Sequence, residues 1–68
     1  MMLPELVLQV NDALVLAPDE SGQSRSLVCI EERRNMFRFF NEGDLFWLTK
    51  LAVNGLLENG GMIIRGDE

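Results

Sequence analysis

The chain has 68 residues, one cysteine (Cys29) and no histidine, which excludes an internal disulfide and a Cys/His zinc site built from one chain. Eleven acidic side chains against six basic ones give a formal net charge of −5, which disfavours non-specific attraction to nucleic acid and anionic membranes. With no His and no Tyr, common acid–base groups are missing, so the sequence reads as non-enzymatic, without catalytic residues, metal or cofactor.

The length fits a single small domain, residues 1–68. A domain of this size buries only about 60% of its unfolded surface, and such chains often gain stability by oligomerising. A hydrophobic content of 47%, at the upper edge for a soluble domain, points the same way. The N-terminal MMLPELVLQ lacks the basic stretch of a secretory signal. No apolar run approaches the length of a membrane span. A lone thiol suits a reducing compartment, so the expected location is the cytoplasm, with no membrane contact.

In chain order, ELVLQV and ALVLA, residues 5–17, flank Asn11-Asp12 and predict a first hairpin. One of its faces is fully apolar and the other half apolar, a sign that more than one surface is covered. PDESGQS, residues 18–24, is a surface loop. RSLVCIEE, residues 25–32, predicts a strand with Leu27 and Cys29 on one face and Val28 and Ile30 on the other. A turn at residues 33–35 leads to MFRFFN, residues 36–41, whose Phe37 and Phe39 oppose Met36, Arg38 and Phe40.

Glu42 and Gly43 then break the strand, and Asp44 reads as the N-cap of a helix Leu45–Glu58 stopped by Asn59, Gly60 and Gly61. Asn54-Gly55 offers a competing hairpin turn, and the helix is preferred because both caps are present. MIIR, residues 62–65, is a short last strand before an acidic end. The expected fold is α+β: a small antiparallel β-sheet of four to five strands, two hairpins plus the C-terminal strand, with one α-helix packed on a face.

On a helical wheel from Asp44, Trp47 and Leu51 fall among the polar residues, four apart. An aromatic and a leucine in a polar rim predict a partner or homodimer interface. Cys29, between Val28 and Ile30, reads as a buried hydrophobe rather than a nucleophile. Glu31 and Glu32 are adjacent and must point to opposite faces.

Arg33, Arg34 and Arg38, interleaved with phenylalanines, are an alternative set of contacts for single-stranded nucleic acid. Acids at their flanks and the net charge count against direct nucleic-acid binding. The acids themselves, Asp19, Glu20, Glu31, Glu32, Glu42 and Asp44, are candidates for a surface facing a cationic groove.

No motif names a family. In size, acidity and lack of catalytic groups the chain resembles small inhibitors carried by phages and mobile elements, including anti-CRISPR proteins. That analogy implies an inhibitor or regulator that occludes a basic or nucleic-acid-binding surface of a larger complex, in the host cytoplasm if phage-encoded. The alternatives are a small nucleic-acid-binding module and an accessory subunit stable only with its partner.

Overall fold

The computed structural model describes residues 8–66. It is an antiparallel five-stranded sheet with one helix: β1 (Ala13–Val15), β2 (Ser26–Glu32), β3 (Met36–Asn41), β4 (Asp44–Thr49), α1 (Lys50–Glu58) and β5 (Met62–Ile64). The strand order is β4-β3-β2-β1-β5. The α+β expectation therefore holds.

The hairpin of MFRFFN differs from expectation. Its partner is not only β2 but also DLFWLT, the stretch expected to begin the helix. Asn41 pairs with Asp44, Phe39 with Phe46 and Phe37 with Leu48. The connecting Glu42 and Gly43 have φ of 50° and 90°, the positive values that a two-residue primed hairpin turn requires. Glu42-Gly43 thus joins two strands instead of ending one.

Asp44 is a strand residue, and the true N-cap is Thr49, whose Oγ1 accepts a hydrogen bond from the Ala52 amide at 3.0 Å. The helix has nine residues, with Asn54-Gly55 inside it. Its end is as expected: Asn59 caps it and Gly60 takes φ 102°.

The first hairpin is also corrected. Among the described residues, 8–12 form no strand. The Asp12 amide donates to the Gln9 carbonyl at 3.0 Å, with Asn11 at φ 84°, so the turn closes one residue earlier than expected. β1 pairs instead with β2 on one side and with β5 on the other. Positions 5–7 of the expected first strand and the acidic end at 67–68 lie outside the described residues.

The chain holds this corner together through Asp12. Its buried carboxylate accepts from the Gln9 and Gly66 amides at 3.0 and 3.1 Å and meets Arg65 Nη1 at 3.5 Å. Burying a carboxylate is tolerable only with such partners.

The core fills one face of the sheet. Leu14, Leu27, Cys29, Phe37 and Phe39 are buried there beneath Val53 of α1, with Leu8 beside them and Phe46, Leu48, Leu56, Leu57 and Ile63 packed at the margin. The rings of Phe37 and Phe39 are 6.3 Å apart and those of Phe39 and Phe46 6.0 Å, within the range of favourable aromatic pairs. The helix starts beside Asn35, whose carbonyl accepts from the Lys50 amide at 2.9 Å, and returns the chain across this inner face to β5.

Candidate contact face

Among the described residues one helix covers one face, and the sheet has two. Strand alternation sends every second side chain to the outer face. The ladder places Leu45 opposite Phe40, Phe40 opposite Val28, Val28 opposite Ala13, and Ala13 opposite Ile64. These five apolar side chains form one row across all five strands. Leu45 is 51% exposed, Phe40 43%, Val28 38% and Ile64 54%. Val15 and Met62 pair in the next row, and Met62 is exposed too. This strip is continuous, unlike the scattered single apolar residues that are ordinary on a protein surface.

Toward the other end of the strands the same face becomes charged. The β2–β3 ladder shifts between Cys29 and Glu31, leaving Ile30 as the bulged residue and bringing Glu31 opposite Arg38. Glu31 meets Arg33 at 3.3 Å and Arg38 at 3.7 Å. Both guanidinium groups lie near the Trp47 ring, 5.3 and 5.5 Å from its centroid, so cation–π attraction holds the indole half-buried among them. Glu32 points to the inner side, where Lys50 Nζ bonds it at 2.7 Å. The two adjacent glutamates do point apart.

Trp47 and Leu51 are therefore not neighbours one helical turn apart. Trp47 is a β4 residue on the outer face, opposite Arg38, whereas Leu51 lies on α1 and is 81% exposed. The wheel failed because it was drawn through a strand.

The nucleic-acid set is also divided. Arg33 and Arg38 are engaged by Glu31 and Trp47, and Phe37 and Phe39 are core. Arg34 is exposed in the β2–β3 turn, and Phe40 alone of the three rings faces water.

The acids separate by end. The β1–β2 connection, the β3–β4 turn and the end of α1 all lie at the end of the sheet where Val15 meets Ser26 and Met62. Asp19, Glu20, Glu42, Asp44 and Glu58 are there with Arg25: five acids against one base, −4. Among the described residues, the opposite end holds Arg33, Arg34, Arg38, Lys50 and Arg65 against Asp12, Glu31 and Glu32, five bases against three acids, +2. Four of the six candidate acids thus share one end, and the remaining two are paired with bases.

An open polar groove of about 590 Å³ runs between Gln23–Ser26 and the Asn41, Glu42 and Asp44 side of the turn. Asp19 organises its own loop. Its Oδ1 accepts from the Ser21 hydroxyl at 2.6 Å and from the Ser21 and Gln23 amides at 2.8 and 3.1 Å. These bonds, led by the Ser21 hydroxyl, hold its carboxyl below the usual value of 3.8.

Cys29 is buried, and its Sγ lies 3.7 Å from the Glu31 carbonyl. Burial pushes the thiol above its ordinary pKa, the Glu32 and Asp12 charges add to the rise, and the bond to Glu31 opposes it. Such a thiol is a poor nucleophile.

Among the described residues, no three His, Cys, Asp or Glu side chains are grouped to hold a metal ion, and no helix is long and apolar enough to cross a membrane.

The row Leu45–Phe40–Val28–Ala13–Ile64 was missed as a site in the sequence reading. The signal was present in RSLVCIEE, where Val28 and Ile30 oppose an already apolar pair while only one helix is available to cover a face. The chain matches no family model, no curated protein and no solved structure.

Proposed function

We propose that this chain is a non-enzymatic protein-binding domain, of the inhibitor or regulator type, whose outer sheet face is the surface that meets protein. The uninterrupted apolar row across five strands carries this reading. Leaving such a strip in water forgoes roughly 25 cal/mol for each Å² of apolar surface that a partner would cover. The separation of charge supports a partner with a cationic region, because the acidic end presents a field that steers and orients association. The reading is of a cytoplasmic protein that occludes part of a larger complex; a single buried thiol fits that setting.

A photo-crosslinking residue placed at position 40 tests it. In cells that make the protein, the reading expects a protein adduct at position 40 and none at position 51. Absence of any protein adduct at 40 contradicts it. Nucleic acid is the competing outcome: Phe40, Trp47 and Arg38 share the face, in the style of a stacking platform. Labelled single-stranded oligonucleotides at low salt should show no binding. Salt-dependent binding lost in Arg34→Glu would replace the protein reading with that one.

A further inference from the structure

We infer that the outer face is covered by a second copy of this chain, packed sheet against sheet with the strands of the two copies running in opposite directions. The inference rests on the reading of the outer face as a protein contact surface. It goes beyond that reading by naming the occupant and its orientation.

Three observations carry it. The first is the extent of the apolar row. The row Leu45–Phe40–Val28–Ala13–Ile64 crosses all five strands, and at about 4.8 Å between strands it spans about 20 Å. Packed sheet faces of this kind are a standard way of closing a core about 10 Å thick. The second is size. A standard interface covers about 800 Å² per partner, which is about 15% of this chain's 5313 Å² surface and within the scale of one sheet face.

The third is charge, which selects the orientation. A two-fold axis that brings the outer faces together must lie in the plane between them. If the axis runs along the strands, the strands stay parallel. The −4 end of one copy then faces the −4 end of the other. If the axis runs across the strands, strand direction is reversed. Glu42 and Asp44 of one copy then lie on the half of the face where the other carries Arg38, Arg33 and Arg34. Like charges repel and opposite charges attract over these distances, so the second axis is favoured. Either axis lays the apolar row of one copy along the row of the other, so charge alone selects between them.

Sedimentation velocity over the micromolar range tests the inference. The wild type should be a dimer. Phe40→Glu should raise the dissociation constant about 100-fold or more, because it places a charge in the centre of a dry contact. Far-UV circular dichroism should show its fold unchanged. Val28→Lys is the second probe should Phe40→Glu fail to fold. Leu51→Glu, on the helix, should leave the dimer intact.

Orientation is read from charge reversal at low salt. Asp44→Lys and Arg34→Glu should each weaken the dimer about three- to tenfold, and the two together in one chain should restore it. Half-reversals without effect overturn the opposed arrangement. A dimer indifferent to both Phe40→Glu and Val28→Lys overturns the face. A wild type that stays monomeric overturns self-association. In that case a crosslink from position 40 to a different protein leaves the contact-face reading standing, and no crosslink ends both.

Discussion

Phe40 and Leu45 are direct cross-strand partners in the β3–β4 ladder, and both side chains face solvent. One residue earlier on β3, Phe39 is fully buried against Phe46, the next residue of β4. A single hairpin therefore presents apolar rings to both sides of the sheet, and α1 covers only one of them. The difference between the faces gives the first expectation. Phe39→Ala should cost about 3–5 kcal/mol, enough to unfold a domain of this size. Phe40→Ala should change the stability of the isolated fold by less than about 1 kcal/mol. Urea unfolding at a concentration low enough to dissociate any dimer separates the two.

The turn and cap that divide β4 from its neighbours should be measurable individually. Gly43 sits at φ 90° with open space around it, so Gly43→Ala should destabilise by about 1 kcal/mol through backbone strain alone. Thr49→Ala removes the bond to the Ala52 amide and should cost about 1 kcal/mol. Were DLFWLT helical and capped by Asp44, neither substitution would matter and Asp44→Ala would. Denaturant midpoints of the three variants decide between these.

That contrast also marks how much was readable in the sequence. Strands β2, β3 and β5, the residues that share a face in β2 and β3, the helix stop at Asn59-Gly60 and the α+β class all follow from alternation and turn residues. DLFWLT did not, because Asp44 is a good cap and the apolar residues that follow suit a helix as well as a strand. Pairing with MFRFFN decided the matter, a non-local contact that local patterns do not encode. The first hairpin was misread for the same reason: β1 has a better partner in β5, far along the chain. Of the candidate site, the acids and arginines were legible as types. Their sorting to opposite ends of the sheet required the topology.

At the C-terminal end of the described chain, Gly66 packs so closely on Asn11 that a Cβ would clash with the Asn11 carbonyl. Its amide also serves Asp12. Gly66→Ala should therefore separate this corner and lower stability by about 1–3 kcal/mol. Thermal unfolding of the variant, compared with Gly55→Ala on the open helix surface, provides the check.

The Asp19 carboxyl titrates below its ordinary value in the folded chain. Its contribution to loop order is therefore present above the unfolded value of 3.8 and disappears as the pH falls through the lower folded pKa. The amide resonances of Ser21 and Gln23 should hold steady down to about pH 3.8 and move only below it. In Asp19→Asn the same resonances should lose this transition.

Cys29 should behave in the opposite sense. Its raised pKa and burial keep the folded thiol protonated and shielded, so alkylation by iodoacetamide at pH 8 should be slow in buffer and fast in denaturant. The unfolded thiol ionises first as the pH rises, so this group withdraws stability above its unfolded pKa of about 8.5. Equal alkylation rates in the two solvents would contradict the buried position.

The most direct measurement of the central claim is an isotope-filtered NOE experiment on a mixture of labelled and unlabelled chain. The account predicts intermolecular contacts from the Phe40 ring to Phe40, Val28 or Leu45 of the second copy, and none from Leu51. Intermolecular contacts confined to Leu51 and α1, or none from Phe40 at concentrations where the chain is associated, would contradict it.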